Sequence, residues 1–218
     1  MVRAILVNDE SPMLHLTFDD GPDPVWTPAV LDALAPARAT ATFFVLGERA
    51  AAWPWVVERI LAAGHGVEVH GHGHLRHPLT RRECVEGDLE AALAVLRVHG
   101  VVPRLWRAPL GELAPFTAEV AREHGLQLAG WTVDTDDWRG LSAEAMVSAI
   151  KPQLVHGAVV LAHDALGPGA LRDGCEETVR LIRPLVDAGR RLGLEPQRLE
   201  PREDLPPADP DGTLAMPA

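Results

Sequence analysis

Two carboxylates stand side by side in Leu16-Thr17-Phe18-Asp19-Asp20-Gly21-Pro22, where an apolar run ends in a turn. Burying both as anions is costly unless positive charge lies beside them. A metal ion resolves the conflict: Asp20 binds it, while Asp19 stays free to accept a proton. Nitrogen ligands should then follow elsewhere, and His70-Gly71-His72-Gly73-His74-Leu75-Arg76-His77 holds four of the ten histidines. Neutral imidazole is a good ligand for zinc, and two His at i, i+4 can present nitrogens to one point from a helical turn. Read blandly, a Gly-His loop binds metal only adventitiously. With Asp20 as a partner, His70 and His74 become the preferred ligands, and His72 and His77 are their rivals. An Asp/His/His set leaves positions open for water and substrate, as catalytic sites do.

Three more segments offer proton chemistry. Arg107, in Trp106-Arg107-Ala108-Pro109-Leu110-Gly111, is placed to hold Asp19 ionised and oriented through a charged hydrogen bond. An isolated Arg after a strand is commonly a solvated charge, but Pro109 and Gly111 point to a shaped loop. His163 ends the apolar run Val159-Val160-Leu161-Ala162, where a core histidine or a general acid for a departing amine would stand. Asp137, in Asp134-Thr135-Asp136-Asp137-Trp138, can pair with His163 and raise its pKa. That acidic cluster is either a solvated turn or one wall of a cleft. Trp138 favours the cleft, because sugars lie along aromatic faces.

The elements that must position these groups are short apolar runs alternating with longer helical patterns. Strands are expected near Met13–Phe18, Thr40–Leu46, Gly66–His70, Arg104–Arg107, Gln127–Thr132, Ala158–His163 and Leu194–Leu199, with Val2–Val7 as an early addition. Helices are expected near Thr27–Ala35, Ala50–Ala63, Arg81–His99, Pro115–Glu123, Ala143–Gln153 and Cys175–Leu192. Thr27-Pro28 and Ser142 read as helix starts, and Gly64, Gly100, Gly125 and Gly193 as helix ends. Such alternation implies an α/β fold with a parallel sheet, open or closed into a barrel. Every candidate site segment falls just after an expected strand, so all converge on the C-terminal strand ends.

The chain of 218 residues, 47% hydrophobic and 23% charged, suits one catalytic domain over 1–200. Its Pro-rich, acidic tail over 201–218 reads as disordered or wrapped on the surface. A formal charge of −11 argues against nucleic acid or an anionic membrane as partner. Cys84 and Cys175 give no disulfide framework and read as buried thiols. No apolar run is long enough for a membrane span. The N-terminal residues do not read as a signal peptide, so a cytoplasmic location is expected, or secretion if a leader has been removed. Nothing points to a protein partner.

Taken together, Thr17–Pro22, the His70/His74 pair, Arg107-Ala108-Pro109, Asp134–Trp138 and Leu161–His163 resemble, in order, the five motifs of the polysaccharide deacetylase family. The likeness runs from about Leu14 to Leu199, and Gly21–Pro28 and Ala41–Val45 are similar to family sequence as well. It implies a deformed (β/α) barrel of about seven parallel strands and metal-dependent removal of N-acetyl groups from N-acetylated aminosugars. It further implies a zinc-type divalent ion, with cobalt the alternative, on Asp20, His70 and His74. Asp19 would be the base, Arg107 its orienting partner, His163 the acid and Asp137 the partner of that acid. The backbone N–H of Leu110 would face the oxyanion, and Leu161 would line the acetyl-methyl pocket.

The chain departs from the family at Gly71, where Ser or Thr is common, and at Leu110, where an aromatic is common. It has no Tyr at all, which leaves few platforms for an extended sugar chain. With its acidic charge, this favours a soluble or short N-acetylated sugar over an anionic wall polymer. Two other readings compete: hydrolysis of a cyclic imide or ureide on the same scaffold, and a catalytically silent carbohydrate-binding protein. Retention of both Asp19 and Asp20 weighs against the first, and retention of Asp19 and His163 against the second.

Overall fold

The computed structural model describes residues 12–201. The expected early strand Val2–Val7 and nearly all of the tail lie outside the described residues. The strands are β1 (Met13–Asp19), β2 (Ala41–Leu46), β3 (Gly66–Gly71), β4 (Leu105–Trp106), β5 (Gln127–Leu128), β6 (Val133–Asp134), β7 (Ala158–His163) and β8 (Glu195–Pro196). Between them run helices α1 (Trp26–Ala37), α2 (Gly47–Ala52), α3 (Pro54–Ala62), α4 (Arg82–Val98), α5 (Thr117–Glu123), α6 (Ala143–Ile150) and α7 (Glu176–Arg191). The strands pair in parallel in the order β5-β4-β3-β2-β1-β7-β6, and β8 joins the start of β1. Strands β5 and β6 are the two edges. The result is a curled, deformed (β/α) barrel of about seven parallel strands, open along one seam.

Alternation along each strand divides the core into two parts. Leu14, Leu16 and Phe18 of β1, Ala41, Phe43 and Val45 of β2, and Ala158, Val160 and Ala162 of β7 face outward into the main hydrophobic cluster with the helices. Helix α7 covers this face with Leu181, Ile182, Leu185 and Val186, spaced as one stripe of an amphipathic helix. The residues between them in each strand face the barrel interior. There Phe44, Leu105, Ala129, Val159 and Leu199 form a second, small core against Trp131. Above it, toward the C-terminal strand ends, the inward residues turn polar: Asp19, His70, Arg107 and His163.

Where element limits differ from those expected, backbone bonding explains the difference. Arg104 and Leu105 donate their N–H groups to Glu68 Oε2 (2.8 and 2.7 Å), so β4 begins one residue late. Of the expected strand Gln127–Thr132 only Gln127–Leu128 forms, as β5, and a second short strand, β6, follows beyond it at Val133–Asp134. Gln127 and Ala129 donate to Arg104 and Trp106 on one edge, whereas Thr132 and Thr135 donate to Val159 and Leu161 on the other. The chain crosses the open seam between them. The expected helix Ala50–Ala63 is broken at Trp53, because the residue before Pro54 is excluded from helical geometry. Ser142 caps α6 by accepting from Ala145 N–H, and Gly64, Gly100, Gly125 and Gly193 all have positive φ at helix ends. Cys175 is buried, but Cys84 is exposed on α4, which corrects the expectation of two buried thiols. No helix among the described residues is long and apolar enough to cross a membrane.

Candidate active site

The last residue of β1 is Asp19, and Asp20 follows with φ 73°, a left-handed conformation that is strained for a residue with a Cβ. This bend brings both carboxylates to the same end of the barrel, where each is buried. Asp20 Oδ1 lies 3.4 Å from His70 Nε2 and 3.2 Å from His74 Nε2. His74 reaches this point from a left-handed bend (φ 55°) just beyond the end of β3 rather than from a helical turn, which corrects the expected local geometry. Asp88 on α4 shapes that bend by accepting from His72 and Gly73 N–H at 2.7 and 2.8 Å. The rival histidines lie elsewhere. His77 packs at a tilt against Trp106 and bonds Thr117, and His72 Nδ1 faces Gly47.

The donors in this cradle suit a metal ion. Among the described residues, Asp20, His70 and His74 form the group whose ligand atoms lie within 4.8 Å of one another. His70 Nδ1 approaches the carbonyl of Arg107 at 2.8 Å, so its proton belongs there and the Nε2 lone pair points inward. Asp20 Oδ1 is buried and, despite the two nearby imidazoles, makes no well-formed hydrogen bond. Burial would raise the Asp20 carboxyl, but attraction to His70 and His74 outweighs it and holds the group below the usual carboxylate range. Burial likewise opposes charge on His70, yet Asp19 and Asp20 outweigh it and raise its pKa. The cradle attracts positive charge, as a proton or as a cation.

Asp19 is held from the other side. Arg107, fully buried, donates from Nη1 to Asp19 Oδ1 (2.8 Å) and to Thr17 Oγ1 (2.8 Å), and from Nη2 to Gly130 O (2.8 Å). Its guanidinium lies over the Phe44 ring, 4.1 Å from the centroid. Asp19 Oδ2 is left facing His70 Nε2 at 4.0 Å. Across the pocket, His163 Nδ1 meets Asp137 Oδ1 at 2.7 Å, while His163 N–H donates to Asp137 Oδ2 at 2.9 Å. Burial works against the His163 imidazolium, but the Asp137 charge and hydrogen bond prevail and raise its pKa to about 9. Asp137 is itself buried, and His163 and Arg172 hold its carboxyl down at about 2 against that burial.

Asp19, Asp20, His70, His74 and His163 line one pocket of about 360 Å³, together with Leu110, Trp131, Trp138, Leu161 and residues of the loop 165–172, whereas Arg107 and Asp137 stand behind its wall. Leu161 is buried in its floor, whereas Leu110 is 45% exposed at the rim. Asp134 and Arg172 line it as well, and, as with Trp131, neither residue type nor spacing marks them out for the site. Gly167 comes so close to Asp20 that a Cβ there would lie 1.9 Å from Oδ2, so only glycine fits. Asp164, next to His163, is buried with its carboxyl against Gly21 and accepts from Thr27 Oγ1 at 2.5 Å. Burial pushes this carboxyl up to about 7.

An open α/β barrel with a three-donor cradle, a fixed carboxylate and a pocket-facing histidine at its C-terminal strand ends has the layout of a hydrolase. Comparison with known proteins agrees. The "Polysaccharide deacetylase" family model matches residues 7–129. A chitooligosaccharide deacetylase of Bradyrhizobium sp. (strain ANU 289) is 36% identical over 192 residues, covering 84% of this chain and 86% of the relative. A crystallised peptidoglycan N-acetylglucosamine deacetylase, bound to 4-naphthalen-1-yl-N-oxidanyl-benzamide, superposes with TM-score 0.81 at 29% identity, covering 87% of each chain. A family 4 carbohydrate esterase from Streptomyces lividans, in complex with acetate, gives TM-score 0.76 at 29% identity, covering 85% of this chain and 91% of that one. The chain belongs to the polysaccharide deacetylase family, and it is an enzyme of the deacetylase class. The family is metal-dependent.

Replacing Arg107 by Leu would leave the buried Asp19 charge unpaired. The expected loss is about 3–5 kcal/mol of unfolding free energy, read by urea denaturation. Adding Asp19→Asn should restore part of it, and equal stability of the single and double variants would contradict the pairing.

Proposed function

We propose that this enzyme hydrolyses the N-acetyl amide of short N-acetylglucosamine oligosaccharides, with water attacking the acetyl carbonyl between Asp19 and the Asp20/His70/His74 cradle. One observation supports it above the others: a carboxylate, three metal-type donors and a carboxylate-paired histidine border a single pocket of about 360 Å³. A pocket of that size suits one N-acetylated sugar ring at the reacting position. The two tryptophans beside it, Trp131 and Trp138, offer faces for that ring.

Asp20, His70 and His74 hold the divalent ion, zinc being the best match to two imidazoles and a carboxylate, with cobalt next. When bound, the ion supplies Lewis acidity toward the carbonyl oxygen and increases the acidity of water. The remaining steps belong to side chains. Arg107 occupies Asp19 Oδ1, so Oδ2 is the atom that takes the proton of the attacking water. The peptide N–H of Leu110, at the pocket rim, donates to the oxyanion, and Leu161 packs on the acetyl methyl. His163, with Nδ1 on Asp137, donates its Nε2 proton to the amine nitrogen as the C–N bond breaks. Acetate and the free amine leave.

Three outcomes test this reading. Metal-stripped protein should gain stability on addition of zinc, about 2.7 kcal/mol at a hundredfold excess over Kd, and His74→Ala should abolish the gain. Acetate release from N-acetylglucosamine oligomers should be metal-dependent and fall by about 10²–10⁴ in Asp19→Asn. Release from no acetylated sugar by the zinc-loaded protein would overturn the assignment. The pH profile supplies the third. His163 must carry its proton, so turnover falls as pH rises through its pKa, which lies near 9 without the ion. Bound cation offsets the pull of Asp19 and Asp20 and shifts that limb downward. Asp137→Asn removes the strongest attraction and shifts it further toward acid, with a lower maximum.

A further inference from the structure

Arg172 lies in the loop that joins β7 to α7, and its side chain is only 6% exposed. Such burial of a guanidinium is costly unless its donors find acceptors. Its Nε finds none, but both terminal nitrogens do, chiefly on Asp137 and His163, with Thr178 Oγ1 and Cys175 Sγ beside them. Nη1 donates to Asp137 Oδ2 (2.9 Å) and to the Asp137 carbonyl (3.2 Å). Nη2 donates to the His163 carbonyl (3.2 Å) and, more weakly, to the Ala165 carbonyl (3.4 Å). His163 closes a strand, and Asp137 opens a 3₁₀ turn after β6. One rigid fork therefore fixes the main chains of both residues and the carboxylate that aims the imidazole.

We infer that Arg172 is a positioning residue for proton donation, holding Asp137 and His163 in the register that directs His163 at the departing amine. This rests on the proposed deacetylation. Thr178 Oγ1 also donates to Asp137 Oδ2 (2.7 Å), so the carboxylate keeps a partner without Arg172 and loses its alignment rather than all its bonds. Lys offers one compact charge and cannot span both backbones at once.

The chemistry separates positioning of the acid from a general structural effect. Amide cleavage sends the C–N electron pair to nitrogen, which must gain the His163 proton to leave. In 4-nitrophenyl acetate the phenolate departs with its electron pair and needs no proton. Both substrates share the water attack, with its proton passing to Asp19. Loss of acid alignment therefore lowers the ratio of amide to ester turnover, whereas a general distortion lowers both together.

The experiment compares kcat on N-acetylglucosamine oligomers and on 4-nitrophenyl acetate for zinc-loaded wild type, Arg172→Ala and Arg172→Lys. The amide-to-ester ratio is expected to fall about 10²-fold in Arg172→Ala, the scale of a misplaced catalytic group. A fall of about tenfold is expected in Arg172→Lys, which keeps the charge and stem and serves if the alanine variant does not fold. In a His163→Ala background, Arg172→Ala should add less than a twofold further loss on the amide, because it acts through His163. Equal losses on both substrates, a wild-type ratio in Arg172→Lys, or full additivity with His163→Ala would each overturn the inference. Absence of amide turnover in the wild type would instead remove the proposed function beneath it.

Discussion

Negative charge buried at one end of the barrel is the constraint around which the rest of this structure is arranged. Asp19, Asp20, Asp137 and Asp164 are all buried there, and the fold compensates each in a different way. Asp19 is matched by Arg107, a guanidinium that can only donate. Asp137 shares His163 and Arg172. Asp164 is pushed up to about 7 by burial and accepts a hydrogen bond from Thr27 Oγ1. Asp20 faces two imidazoles whose outer nitrogens are directed inward, which is compensation a cation completes. Four carboxylates of one kind thus acquire four chemical characters from their partners alone.

Topology makes such crowding possible. A parallel sheet brings every strand to its C-terminal end on one side, and alternation then sends Asp19, His70, Arg107 and His163 inward together. Phe44, Leu105 and Val159 also point inward, and their small apolar core packs beside the polar layer. Phe44 belongs to both: it fills the small core and supports the Arg107 guanidinium on its ring face. That support matters because a buried ion pair is useful only when its geometry is fixed.

Much of this was legible in the sequence, for identifiable reasons. Adjacent carboxylates and a dense His segment are rare residue types at chosen points, and strand–helix alternation places them on one face before any distance is known. Arg172 was not legible, because its partners are main-chain carbonyls and a carboxylate 35 residues back. Every residue has a carbonyl, so such a fork leaves no pattern to read. The split of β5 from β6 was equally hidden. It depends on which edge receives the N–H groups of Gln127–Thr135, a tertiary choice made by β4 and β7. His74 was found by type and spacing although the expected helical turn is a left-handed bend, since ligand convergence depends on where the nitrogen ends and not on the route.

The open seam also bears on why acid and base can be opposites within one small pocket. Arg107 anchors to Gly130 O on the segment that crosses the seam, and Asp137 follows β6 on its far edge. The base therefore belongs to the half of the sheet that Arg107 ties together, and the acid to the half tied by Arg172. Asp19 can only accept from its permanent donor, whereas His163, bonded to a carboxylate, keeps a proton to give. Separate anchors let each group be tuned by its own neighbour, and the floor shared through β1 and β7, which pair from Leu14 to Asp19, keeps the two halves at a fixed separation.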